Sequence, residues 1–382
     1  MTIVGRSSQL AVTMSRRSLL RSAGVIGGFL AVGGSFTIGF GRDAAAGGVG
    51  GRLDLYTWEG YELNKEMAAW REKSGIELNT VGFIGAQADV PSKIQGPSGT
   101  GIEISSVNHL WIQYFKDLGI LSPITVSELP VLDKFYDKFK GSPWHNGDGT
   151  FNSVPWTWGP LGITYRSDKI DEPKSWEAVF DAKNKNRIGI LDDPAHIGTA
   201  AIILGYQIET LTQAQLGECK SYMKRVLKQS KTLSAAFGDA VSLLASGEID
   251  IFWSGWPQID VLIADKGGKS KTIVPAGEKS QAFSDANFIP PDADNRATAL
   301  AFIEQTVTGQ VAADAAKSLA AGVTNPDVQG LLDPGLRVLY PYDNINSYFE
   351  QLVFSPGFPH GKSEYVTLEE SVKAWQEVKA DL

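Results

Sequence analysis

From residue 51 onward the chain alternates short apolar runs with segments in which apolar residues recur at helical spacing, which predicts βα units and an α/β fold built on mostly parallel sheets. The first run, residues 53–61, reads as a strand that ends in Trp58, Glu59, Gly60 and Tyr61. In open α/β sheets ligands sit at such carboxyl ends, so this stretch predicts one wall of a cleft. Leu63, Met67 and Trp70 then recur at helical spacing, and Gly75 supplies a stop. Strands are predicted over 76–81 and 102–107, with a helix over 111–118 closed by Gly119. Residues 154–159, rich in aromatic rings, proline and glycine, lead into 161–165 and suit a connection between two lobes.

In the second half, Ser175 caps a short helix over 175–180, and a strand over 187–191 ends in Asp192 and Asp193. Helices are predicted over 197–206 and 213–228, then over 240–245 with Asp239 as cap and Gly247 as stop. The apolar strand 248–253 delivers Trp253, Ser254, Gly255 and Trp256, repeating the device at Trp58. Residues 283–290 form a strand with an acid, Asp285, among apolar neighbours. Helices over 297–307 and 310–320 follow, and Thr367 with Glu370 makes a capping box ahead of Leu368, Val372 and Trp375.

Ahead of this pattern, Arg16 and Arg17 open a basic segment followed by the apolar run 23–40 and the small residues Ala44, Ala45 and Ala46. That is the layout of a twin-arginine export signal over residues 1–46, with cleavage near Ala46. No later run is long and apolar enough to span a bilayer, so a soluble exported chain is expected. Removing the leader takes away five arginines and one aspartate and moves the net charge from −8 to −12. Such a balance disfavours nucleic acid and anionic membranes as partners and favours cationic ligands. Cys219 is the only cysteine, which excludes an internal disulfide, and its helical setting suits a packed thiol. His109, His145, His196 and His360 show no metal-ligand spacing, so no metal or cofactor is expected. Neither a Gly-x-Ser-x-Gly elbow nor a phosphate loop with its lysine occurs.

Three aromatic clusters fall at strand ends or lobe connections: Trp58 with Tyr61, Trp156 with Trp158, and Trp253 with Trp256. Glu59, Asp192, Asp193 and Asp285 accompany them. Ring faces hold an ammonium or a methylene chain while carboxylates neutralise charge, so the combination predicts a site for a small organic cation. Any one cluster, taken alone, also suits core packing.

These motifs resemble the periplasmic solute-binding proteins of ABC importers, most closely the spermidine/putrescine-binding branch. Trp58 and Tyr61 stand where that family has the rings of an Asn-Trp-Ser/Thr-acid-Tyr motif. Residues 154–159 match its Ile-Pro-Tyr-x-Trp-Gly, Asp192 and Asp193 its Asp-Asp, residues 252–255 its Trp-Asn-Gly, and residues 283–285 its Trp-x-Asp before Ile-Pro. The resemblance implies the two-lobed periplasmic-binding-protein fold of type II with the ligand cleft between lobes, and no enzymatic activity. The expected division is 52–158 plus 284–327 for lobe 1 and 159–283 plus 328–382 for lobe 2. It implies a periplasmic protein that acts as a monomer, captures a polyamine and delivers it to a membrane permease, with no nucleic acid and no cofactor involved.

The ligand-binding residues so implied are Trp58, Glu59, Tyr61, Asn108, Asp192, Asp193, His196, Trp253, Trp256, Phe283, Asp285 and Gln351. Several depart from the polyamine pattern. Gly60 takes the place of an acid, with Glu59 one residue early, and Asn108 stands near a family serine. Leu110 replaces a tyrosine, His196 falls where a glutamate is expected, and Phe283 replaces a tryptophan. Gln351 aligns with a ligand-facing glutamine through Ile345 and a one-residue gap. A diamine needs an acceptor at each end; Asp285 serves one, and Glu59, Asp192 or Asp193 must serve the other. Should they fail to do so, a ligand with one cationic centre, such as a betaine, an amino acid or an opine, takes its place. A secreted two-lobed enzyme using two acids is the alternative of another class.

Overall fold

Two separate β-sheets, each with its own apolar core, organise the chain. In the computed structural model the strands are, in chain order, β1 (Gly51–Thr57), β2 (Ile76–Phe83), β3 (Ile104–Asn108), β4 (Ile124–Thr125), β5 (Thr150–Phe151), β6 (Val154–Pro160) and β7 (Gly162–Tyr165), followed by β8 (Ile188–Leu191), β9 (Ser230–Ser234), β10 (Ile251–Gly255), β11 (Lys271–Ile273), β12 (Ser280–Phe288), β13 (Gly322–Val323) and β14 (Leu352–Val353). The structure describes residues 48–97, 101–234 and 237–380. The export signal read over 1–46 therefore lies outside the described residues.

The first sheet runs β13-β6-β12-β3-β1-β2, with β14 beside the start of β12, and the second runs β11-β7-β10-β8-β9. Both are mixed, not mostly parallel as the alternating pattern suggested. β1 pairs in parallel with β2 and β3, but β12 is antiparallel to β3 and β6. In the second sheet β7 is antiparallel to β10 and β11, while β8, β9 and β10 are parallel. The reason lies in connectivity: β6 passes into β7, and β12 arrives after β11, so these strands enter a sheet from the other one and not by a crossover helix.

Local sequence accounts for which faces are buried. In β12, Ala286 and Phe288 fill the first core, and the alternation of side chains along a strand sends Phe283 and Asp285 to the other side. In β10, Ile251 and Trp253 enter the second core while Phe252 enters a third cluster with Ala240, Leu244, Ile259 and Ile263 on the opposite face of that sheet. The aromatic residues Tyr340, Tyr342, Phe349 and Phe354 pack in the first core, whereas Phe358, Val366, Trp375 and Val378 pack in the second. Residues 328–354 thus depart from the expectation that all of 328–382 joins the second lobe, since Val328 and Leu332 pack in the first core as well. Their rings close around Trp158, which Tyr340 and Phe349 contact at centroid distances of 5.0 and 4.9 Å.

Three passages join the sheets. The β6–β7 junction and the start of β12 lie side by side, with the Leu161 amide donating to the Gln281 carbonyl at 2.8 Å and the Ser280 hydroxyl bonding the Leu161 carbonyl. The third passage is the segment between Phe354 and Phe358. Gly357 is required there: its φ is +91°, and a Cβ would stand 2.5 Å from the Leu110 carbonyl oxygen.

Candidate functional site

Asp285 lies midway along the sheet, paired with Asn108 of β3 on one side and Thr157 of β6 on the other. It is 9 % exposed, and both carboxylate oxygens are engaged. The Tyr61 hydroxyl donates to Oδ2 at 2.6 Å, and Asn108 Nδ2 donates to Oδ1 at 2.8 Å. Asn108 is oriented for this by its own oxygen, which accepts the Leu110 amide at 3.2 Å and caps the turn His109–Trp111. Tyr61 is held by the turn at Gly60, whose φ of +90° suits glycine, and by edge-on contacts with Trp58 at 5.4 Å and Trp156 at 4.8 Å.

Burial pushes the Asp285 carboxyl up to about 6, against the pull of the Tyr61 and Asn108 hydrogen bonds. Burial, and then the negative charge of Asp285, drives the Tyr61 hydroxyl well above its ordinary range, so it stays a neutral donor. Among the described residues no lysine or arginine forms an ion pair with Asp285. A buried carboxylate that has hydrogen-bond donors but no counter-charge is costly, and a cation entering the site would remove that cost.

Around Asp285 opens a cavity of ≈ 480 Å³ to which both sheets contribute. Glu59, Tyr61, Asn108, Thr157, Phe283 and Asp285 line it from the first, and Asp193, Ala195, Trp256 and Gln258 from the second. Seven of the expected residues are therefore brought together: Glu59, Tyr61, Asn108, Asp193, Trp256, Phe283 and Asp285. Trp256 reaches the cleft because the chain turns after Trp253: Ser254 has φ of +58°, and β10 loses its register with β7 between Phe252 and Gly255.

Five expected residues do not line the cleft. Trp58 stands behind Tyr61, half-buried against the first core. Trp253 is fully buried, with Trp176 at 5.5 Å and His196 at 5.2 Å, so it is part of the second core and not a wall for ligand. His196 is also buried; its Nε2 donates to the Leu191 carbonyl at 2.9 Å, and burial lowers its imidazole, which Asp193 only partly offsets. Asp192 accepts Trp375 Nε1 at 2.7 Å and Lys379 Nζ at 2.8 Å. Burial pushes the Asp192 carboxyl up, but those two hydrogen bonds outweigh it and leave the group below its ordinary range. This residue is committed to holding the helix Leu368–Ala380. Gln351 ends the helix Ile345–Gln351, beside the first core.

Thr157, Leu161 and Gln281 also border the cleft, although the sequence reading did not single them out as ligand contacts. Gln281 was reachable, since residues 281, 283 and 285 share one face of β12 by the period of two; its Oε1 accepts the Thr199 hydroxyl at 2.7 Å. Among the described residues no group of histidine, cysteine, aspartate or glutamate could hold a metal ion. No helix among them is long and apolar enough to cross a membrane.

Two cores, three passages between them and a polar cleft bordered by both sheets are the features of a two-lobed solute-binding protein. Comparison with known proteins gives the same class. Residues 66–334 match the family of bacterial extracellular solute-binding proteins, and the chain belongs to that family. It is 22 % identical over 352 residues to the putrescine-binding periplasmic protein SpuD of Pseudomonas aeruginosa, covering 86 % of this chain and 92 % of that protein. It is 21 % identical over 314 residues to the spermidine/putrescine-binding periplasmic protein of Salmonella typhimurium, covering 80 % and 87 %. Among solved structures it is similar to the spermidine/putrescine ABC transporter substrate-binding protein PotD from Streptococcus pneumoniae, with a TM-score of 0.73, 20 % identity and coverage of 86 % and 98 %. The family is one of binding proteins, not enzymes.

Proposed function

We propose that this protein captures a small organic cation of the polyamine class outside the cytoplasm and delivers it to the permease of an ABC importer. The observation that carries the reading is Asp285: a buried carboxylate, held by two neutral donors, with no cationic partner among the described residues. An ammonium group placed there would supply the missing charge, and the rings of Tyr61, Trp256 and Phe283 would take the methylene chain. The second ammonium of a diamine would be received by Asp193 or Glu59, since Asp192 is occupied by Lys379. The names of the relatives support the polyamine class. Their periplasmic location, together with the paired Arg16 and Arg17 of the leader, supports export by the twin-arginine route.

A thermal-shift screen against polyamines, betaines, amino acids and opines tests the reading, because a ligand that binds only the folded state raises the melting temperature by mass action. Polyamines are expected to give the largest shift. A shift from neutral or anionic solutes, with none from any amine, would overturn it.

A further inference from the structure

Beside the cleft lies a second cavity of ≈ 280 Å³ that shares Leu110, Trp111, Asp193, Ala195 and Gln281 with it. Its remaining walls are mostly apolar, with Ile208, Phe358, Leu368 and Val372 beside the hydroxyl of Ser371, and no lysine or arginine borders it. His360 forms part of the wall; its ring stacks on Tyr114 at 4.1 Å and 15°, and burial lowers its imidazole, which keeps it neutral near pH 7. The single carboxylate of the chamber is Asp193, at the boundary with the cleft, where its Oδ1 accepts the Ala195 amide at 2.9 Å. An apolar cavity of about 150 Å³ already suffices for benzene, so this one has room for an aromatic ring or a branched alkyl group.

We infer that this chamber is a ligand subsite for an apolar substituent on the amine that reaches Asp193, so that the solute is an N-alkyl or N-aryl-alkyl diamine and not a longer polyamine. The inference rests on the proposed cation reading. It follows from where charge can be placed. One nitrogen meets Asp285 and a second meets Asp193, but a third ammonium carried past Asp193 would enter a chamber with no further carboxylate, where Gln281, His360 and Ser371 offer only uncharged acceptors. A hydrocarbon group in the same place would instead leave water for an apolar wall, which gains affinity in proportion to the area covered.

Titration calorimetry with 1,4-diaminobutane, its N-benzyl derivative and the triamine N-(3-aminopropyl)-1,4-diaminobutane tests this. The N-benzyl compound is expected to bind at least about tenfold more tightly than either of the others. Val372 is 37 % exposed on the helix Leu368–Ala380, so a larger side chain can be accommodated there without disturbing a core. Val372→Trp would fill the chamber and bring the ratio of N-benzyl to parent affinity to about one. Binding of the parent diamine or the triamine as tightly as the N-benzyl compound, or a ratio unchanged by Val372→Trp, would overturn the subsite and leave the cation reading standing. Failure of all three amines to bind would overturn both.

Discussion

Asp285 shows how one side chain can dominate a site. Its carboxyl holds a proton to about pH 6 in the folded, ligand-free chain, whereas the ordinary value is 3.8. Between those values the folded state binds more protons than the unfolded one, so ligand-free stability is predicted to fall as pH rises through this window and to level off above it. The loss is on the order of 3 kcal/mol. Urea midpoints measured from pH 3.5 to 7.5 check it, and an Asp285→Asn variant should lack the decline. Cation binding has the opposite dependence, because it needs the carboxylate: affinity should weaken about tenfold per pH unit below 6, with a proton released on binding. Asp285 was legible because an acid in an apolar strand has few uses. Its donors were not equally so, because Tyr61 and Asn108 reach it from sequence separations of 224 and 177.

Among the elements, β10 and the last helix separate what patterning reveals from what it hides. The capping box at Thr367 and Glu370 is formed as the spacing predicts, with the Glu370 carboxylate accepting the Thr367 amide at 2.8 Å. Ser175 likewise accepts the Ala178 amide at 3.2 Å. Asp239 is different: the helix begins earlier, as Phe237–Ser246, and the residue sits in its first turn. In β10 every residue is buried, so the alternation that sorts a half-exposed strand offers no clue to which of Phe252 and Trp253 faces the cleft; neither does. Trp253→Ala is therefore predicted to lower fold stability by about 3–5 kcal/mol and to change ligand affinity much less. Chemical denaturation alongside calorimetry distinguishes this from a wall residue, for which affinity would drop while stability held. Strand direction was equally hidden, since the period of β6 and β12 is the same whichever way they pair.

From residue 48 onward the described residues form two sheets, each with its own core, linked by passages near Leu161, Ser280 and Gly357, with the cleft bordered by both. Such passages suit hinge closure around a ligand. Small-angle scattering should show the radius of gyration falling when a saturating amine is added, and an unchanged profile would count against closure. The two α/β lobes were legible in the alternating pattern, but residues 154–159 are not the connection their aromatic, proline and glycine content suggested: they form the buried strand β6 inside the first sheet, and the crossing follows at Leu161. The placement of residues 328–354 was not legible, because amphipathic spacing states that a face is buried without stating against which core.

The central claim is that a cationic nitrogen rests on Asp285. Titration calorimetry of 1,4-diaminobutane into the protein and its Asp285→Asn variant at pH 7.5 tests it most directly, since the substitution removes the charge while keeping the shape. The account predicts that the variant stays folded and loses about 2–4 kcal/mol of binding free energy. Undiminished affinity in a folded Asp285→Asn protein would contradict it.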